Sequence, residues 1–167
     1  LLLAERGCDT VALDGSDAML AQARRKPGAE RVRWIRGSAF RLPFSDSSFD
    51  GVASGFALRN LASDLDGFFR ESFRILRRGG LALHLDLGRP AGPAVSWIHR
   101  LHVGFGVPAI GRWICGASWP EDYLKKTIAA FPAPVEVASR LLRAGFSRAS
   151  YSPLCWGTVG LYEAVKC

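Results

Sequence analysis

The sequence predicts a doubly wound α/β domain, an open and mostly parallel sheet covered by helices on both faces. Three observations carry that expectation. Short apolar runs at 10–14 and 81–86 each end in an acidic residue, the pattern of buried strands in a parallel sheet. Segments with apolar residues at helical spacing alternate with them. Capping residues open these segments and glycines close them, so strand and helix follow one another along the chain.

Leu1, Leu2 and Leu3, followed by Ala4, Glu5, Arg6 and Gly7, read as the last turns of a helix stopped by a glycine. The chain opens on Leu rather than Met, so an upstream element is expected, holding a first strand and a glycine-rich loop. A strand at 10–14 follows and ends at Asp14. Ser16 then caps a helix over 17–26, with Asp17 adding favourable charge at its start and Pro27 and Gly28 stopping it. The next strand spans 31–36. Residues 37–48 form a long loop anchored by Leu42, Pro43 and Phe44, and a third strand spans 49–56.

Asp64 is placed to cap a helix over 65–78, with Leu65, Phe68, Phe69, Phe73 and Leu76 as its apolar stripe. Arg77 and Arg78 fall in the expected last turn, before Gly79 and Gly80. After the strand at 81–86 the pattern changes to an apolar, aromatic and glycine-bearing stretch. Residues 91–132 are expected to be a helical insertion covering a greasy ligand, within one domain over 1–167. A helix at 134–144 presents Val135, Ala138, Leu141 and Leu142 on one side, with Pro134 in its first turn and Gly145 at its end. Two closing strands, 146–151 and 157–165, are expected as a hairpin turning around Pro153.

Composition narrows the function classes. The 167 residues are 49% hydrophobic, within the range of globular domains. Lys and Arg exceed Asp and Glu by 22 to 15, for a net charge of +7. The basic residues are scattered in short groups rather than gathered in a stripe, which argues against nucleic-acid binding and leaves room for contact with an anionic membrane surface. Cys8, Cys115, Cys155 and Cys167 form no CxxC, and His99 with His102 lacks a third ligand nearby, so neither a metal site nor a disulfide framework is expected. No apolar run reaches the roughly twenty residues that cross a bilayer and no signal peptide is visible, so a cytoplasmic chain is expected.

Ligands of an open parallel sheet bind at the carboxyl ends of its strands. Three groups fall there: Asp14 with Gly15; Ser38 with Ala39; and Gly55 with Phe56, leading to Arg59 and Asn60. A carboxylate closing a strand before a helix can accept both hydroxyls of a ribose. Alternatively it helps to cap that helix, although Ser16 is already available for the purpose. The residues alone leave a nicotinamide cofactor and S-adenosylmethionine both open.

Longer stretches are more specific. They include LPFSDSSFD at 42–50, SGFALRNL at 54–61, FRESFRILRRGG at 69–80, LDLGRP at 85–90, VPAIG at 107–111, YLKKTIAAFP at 123–132, LLRAGFSRASY at 141–151 and GTVGLYEAVK at 157–166. On these the chain resembles the ubiquinone/menaquinone biosynthesis C-methyltransferases, a class I, Rossmann-like family. The resemblance implies a seven-stranded mixed sheet with an antiparallel last strand, and S-adenosylmethionine as cofactor. It implies that Asp14 holds the ribose, that Ser38 and Ala39 lie near the adenine, and that Gly55 and Phe56 line the reacting methyl. Ser38 stands where the family usually has Asp or Asn.

The resemblance further implies methyl transfer to a ring carbon of a prenylated quinol such as a demethylmenaquinone. Arg59 would stabilise the developing phenolate and Asn60 would orient it or the substrate. Tyr123 and His102 in the insertion, and Asp86 at a strand end, are the candidates for removing the ring proton, each with packing as the simpler alternative. Trp97, Phe105, Trp113 and Trp119 would offer apolar surface to the isoprenoid tail. Peripheral contact with the inner face of a membrane and homo-oligomerisation are the partner expectations. Three alternatives compete: a methyltransferase for another aromatic or lipid-like molecule, a non-catalytic scaffold or partner subunit, and a dehydrogenase. Weak cofactor binding is expected of the chain from Leu1 onward by itself.

Overall fold

The structure, a computed structural model, describes residues 1–87 and 131–167. Almost all of the expected insertion, with Tyr123, His102 and its tryptophans, therefore lies outside the described residues. The chain forms two compact units, Leu1–Ser45 and Asp46–Cys167.

In the first unit, α1 (Leu2–Glu5) stops where Gly7 takes a left-handed φ of 86°. Strand β1 (Thr10–Asp14) leads to α2 (Asp17–Arg24), and Ser16 Oγ accepts from the Met19 amide at 3.3 Å, as the capping pattern predicts. A short 3₁₀ turn (Ala29–Arg31) precedes β2 (Val32–Arg36), which pairs with β1 in parallel from Thr10–Val32 to Asp14–Arg36. Leu20, Ala29 and Val32 are buried, and the Trp34 indole donates to the Ala29 carbonyl at 2.9 Å.

The second unit contains a four-stranded sheet in the order β3–β4–β6–β5. Strand β3 (Phe49–Gly55) lies parallel to β4 (Leu76–Leu87); β6 (Val159–Val165) and β5 (Arg148–Leu154) are antiparallel to their neighbours. The antiparallel closing strand thus has the sense expected. Helix α3 (Leu65–Ile75) is capped by Asp64, whose Oδ1 accepts from the Gly67 amide at 2.8 Å. Helix α4 (Pro134–Arg143) ends before Gly145, whose φ is 113°. A Cβ at Gly145 would come within 2.9 Å of the Phe73 ring, so both backbone and packing demand glycine there.

Three local expectations are corrected. Helix α3 ends at Ile75, not at 78: Leu76 turns to ψ 141° and starts β4. No glycine cap is needed because other groups take the exposed carbonyls. The Ser47 and Ser48 amides donate to Arg74 and Ile75 at 3.0 and 2.8 Å, and the Lys166 ammonium donates to Phe73 and Leu76 at 2.8 and 2.7 Å. In α4 the buried face is Val137 and Leu141, both at 0% exposure, while Val135 and Leu142 face water. That is the i, i+4 pair aligned with the sheet and α3. Finally, the hairpin turns at Cys155–Gly157, with Pro153 inside β5 opposite Gly160. Strand β5 is the sheet's edge, where a missing amide donor is tolerated.

Lys166 also lies 4.3 Å from the Phe73 ring centroid, so one side chain closes a helix end from a strand end. Lys166→Met keeps the stem but removes the donor. It is expected to cost about 2 kcal/mol, the scale of hydrogen bonds to a charged group, read as a lower urea midpoint at unchanged slope. An unshifted midpoint would show that water caps those carbonyls equally well.

Burial alternates along β4, with Ala82, His84 and Asp86 on its covered face. Phe68 and Phe69 of α3 lie over His84, with ring centroids at 5.3 and 5.7 Å. Ser54, His84, Tyr162 and Tyr151 are register partners across the four strands. Leu58, Leu65, Phe69, Leu76 and Leu141 complete the core, each worth about 1.5–3 kcal/mol when fully buried.

Candidate active site

The sequence-predicted residues that the structure describes form one cluster in each unit, and His102 and Tyr123 lie outside the described residues. In the first, the Gly37 amide donates to the Asp14 carbonyl at 3.1 Å and ties together the carboxyl ends of β1 and β2. Gly15 packs near Gly37, where an added Cβ would lie 3.6 Å from the carbonyl oxygen. Ser38 and Ala39 continue directly from that junction, and Ser38 Oγ accepts from the Phe40 amide at 3.2 Å. Asp14 is exposed. Its Oδ1 accepts from the Ser16 amide at 2.8 Å, while Oδ2 has no bond to a described residue. Asp14 thus steadies the helix entry, as its capping alternative has it, and presents its second carboxylate oxygen to solvent.

The second cluster lies at the carboxyl end of β3 and β4. Gly55 ends β3, and an added Cβ there would meet nothing within 4 Å. Phe56 takes a left-handed φ of 58°, unusual for a bulky residue, while its amide donates to the Leu85 carbonyl at 2.7 Å. Its ring is exposed. The following turn is anchored by Leu58, which is fully buried. Asn60 lies on the exposed side of that turn, its amide donating to the Ala57 carbonyl at 2.9 Å.

Arg59 points the other way. Its side chain is only 8% exposed and pairs with Asp86, which is 0% exposed. Nε donates to Asp86 Oδ1 at 2.5 Å, and the Arg59 backbone amide donates to Oδ2 at 3.1 Å. The Leu87 amide adds a third bond to Oδ1 at 2.7 Å. The partner of Arg59 is therefore Asp86; Asp64, the acid nearest to it in sequence, is occupied in capping α3. Both carboxylate oxygens of Asp86 serve this contact, which leaves it poorly suited to collect a proton from a ligand. Arg59 Nη1 is buried and has no partner among the described residues. A buried guanidinium N–H left unpaired is costly and therefore uncommon.

A second buried polar pair went unread in the sequence. Ser54 Oγ lies 2.9 Å from His84 Nδ1, and His84 Nε2 has no partner among the described residues. Burial pushes His84 down to about 4, so the ring is neutral near pH 7. Only the strand register exposes this pairing, because the two residues lie thirty positions apart. Among the described residues, no group of acidic, His or Cys side chains could hold a metal ion, and no helix is long and apolar enough to cross a membrane.

Residues 3–166 match the model of the ubiE/COQ5 methyltransferase family. The chain belongs to that family. Within the family's curated relatives it is 35% identical over 161 residues to the demethylmenaquinone methyltransferase of Deinococcus radiodurans, covering 93% of this chain and 66% of that protein. It is 34% identical over 157 residues to the 2-phytyl-1,4-naphthoquinone methyltransferase of Thermosynechococcus vestitus, covering 93% and 69%. The chain spans 62–66% of the length of the first curated relatives it matches. The fold matches the phosphoethanolamine N-methyltransferase 2 of Haemonchus contortus with a TM-score of 0.65 at 15% identity, over 98% of this chain and 44% of the other. The family's α/β methyltransferase fold is thus the fold of this chain.

Proposed function

We propose that this chain carries S-adenosylmethionine-dependent methyl transfer to a ring carbon of a prenylated quinol, of the demethylmenaquinol class. The observation that carries the reading is Arg59 Nη1, a buried cationic donor without a partner among the described residues, held at the carboxyl end of β3 and β4 in a chain of this family.

The residues of the first unit suit an adenosyl group. Asp14 Oδ2 is open to accept from ribose hydroxyls, Gly15 follows it beside Gly37, and Ser38 and Ala39 continue from the neighbouring strand end. Ser38 offers a hydroxyl where Asp or Asn is usual in the family, which weakens the hold on the adenine amino group. Gly55, with open space where a side chain would be, and exposed Phe56 form the lining assigned to the methyl. The bound cofactor supplies a methyl already activated by its sulfonium.

The chain's own part is to make the ring carbon nucleophilic. Electron density flows onto the carbon beside a phenolic oxygen as that oxygen loses its proton. A donor fixed at the oxygen stabilises the anion most when it sits in a site of low dielectric. Arg59 supplies a cationic donor, and its burial supplies the low dielectric. Asn60, the next residue in the chain, is the candidate for orienting the acceptor. Removal of the ring proton is left to His102, Tyr123 or water. The proposal includes peripheral contact with a membrane surface, where a quinol with a long apolar tail resides, and the net positive charge of +7 favours it.

Calorimetric titration of the complete protein tests the cofactor assignment. S-adenosylmethionine and S-adenosylhomocysteine are expected to bind saturably and NAD not at all. Asp14→Asn should weaken both by roughly tenfold, equivalent to about 1.4 kcal/mol and in the range of a charge-assisted hydrogen bond. Saturable binding of NAD alone would overturn the assignment.

A further inference from the structure

The contact between Arg59 and Asp86 is more constrained than an ion pair needs to be. Asp86 takes one bond from the Arg59 side chain and another from the Arg59 backbone, on different oxygens. The guanidinium is thereby fixed at both ends of its own residue. The Leu87 amide fixes the carboxylate in turn, and β4 is paired on both sides around it, to β3 through Leu85 and to β6 through Asp86 itself. With Nε committed, Nη1 is buried and held without a described partner. A guanidinium is planar, so fixing Nε and the backbone leaves Nη1 little freedom of direction.

We infer that Asp86 is a positioning residue whose role is to aim Arg59 Nη1 at the anionic oxygen of the methyl acceptor. The identity of that oxygen rests on the function proposed above; the aiming does not. A purely electrostatic role makes the opposite prediction. Asp86 is a negative charge beside the cation and offsets it, so neutralising Asp86 would strengthen the field at a phenolate. If Asp86 aims the donor, neutralising it weakens phenolate binding although the site becomes more positive.

Two variants separate these cases. Asp86→Asn removes the charge and keeps the size. Arg59→Lys keeps the charge opposite Asp86, so it serves as the second variant should Asp86→Asn fail to fold, but an ammonium cannot reproduce the fixed fork. The binding probe is 1-naphthol, whose fluorescence distinguishes naphthol from naphtholate. The wild-type protein should hold it as naphtholate below the pH at which it ionises in water. Both variants should move that bound titration back towards the free value and lower kcat on demethylmenaquinol by at least about tenfold, with KM changed less than about threefold. Guanidinium chloride should restore part of the turnover of Arg59→Ala, and restore none to Arg59→Ala combined with Asp86→Asn.

Naphtholate bound as tightly, or more tightly, by a folded Asp86→Asn protein would overturn the inference. So would an Arg59→Lys protein with wild-type kcat, or rescue that does not depend on Asp86. A wild-type protein that binds naphtholate in this Asp86-dependent way yet methylates no quinol would uphold the aiming and refute the proposed acceptor. Turnover of quinol that is indifferent to Asp86 would do the reverse.

Discussion

Arg59→Met is expected to lower kcat on a demethylmenaquinol about 100- to 1,000-fold while changing KM far less, the loss seen when one donor to a developing oxyanion is removed. The size follows from burial. The side chain is 8% exposed, so no water stands ready to take over the bond from Nη1. The substitution also strands Asp86 as a buried, unpaired carboxylate, which costs stability of about 3–5 kcal/mol. Lost turnover must therefore be separated from lost fold. The double variant Arg59→Met, Asp86→Leu removes both charges and should recover most of the thermal stability, because replacing a buried ion pair by apolar groups is often neutral or stabilising. It should recover none of the turnover. An active double variant would remove Arg59 from the chemistry.

Acidification from pH 6.5 to pH 4 should remove about 3 kcal/mol of stability through His84 alone. In the unfolded chain this imidazole takes up a proton near 6.5, while burial under Phe68 and Phe69 pushes it down to about 4. Between those values the unfolded chain binds more protons than the folded one. Stability is therefore fully present above 6.5 and falls as pH drops, at about 1.4 kcal/mol per pH unit over roughly 2.5 units. Ser54 Oγ at 2.9 Å does not offset this, since a hydroxyl donates to or accepts from the neutral ring equally well. His84→Phe keeps a flat ring in the same place and should flatten the pH dependence of the urea midpoint across that window. Equal slopes for both proteins would show that His84 protonates inside the fold without cost.

The elements that the sequence made legible are those governed by local chemistry. Strand β1 begins and ends as expected at Thr10 and Asp14, because an apolar run bounded by polar residues has few other solutions. Ser16 and Asp64 cap the helices assigned to them, since an N-cap is decided within three residues. The misread ends depend on distant partners. Helix α3 stops at Ile75 because Lys166, ninety positions away, takes the carbonyls of Phe73 and Leu76. Nothing in FRILRRGG announces that partner, whereas a glycine pair announces a cap.

The same division runs through the candidate site. Asp14, Gly15, Ser38 and Ala39 were readable as strand ends, and the structure brings them together in the first unit. Arg59 was legible as a candidate from its run with Asn60, but its partner was not. Asp64 lies five residues away in sequence, and Asp86 lies twenty-seven away. Only the parallel pairing of β3 with β4 delivers Asp86 to the turn that follows β3. Its strand-end position makes Asp86 a candidate base in the sequence; in the structure three donors converge on it and it holds Arg59.

The most direct test of the whole account is the fate of an isotopically labelled methyl group. The complete protein is incubated with S-adenosylmethionine labelled in its methyl and with reduced demethylmenaquinone, and the product is examined by NMR. One labelled methyl is expected on the quinone ring carbon, formed catalytically by the wild type and almost absent with Arg59→Met. A labelled methyl on oxygen, or a ring methyl formed equally well without Arg59, would contradict it.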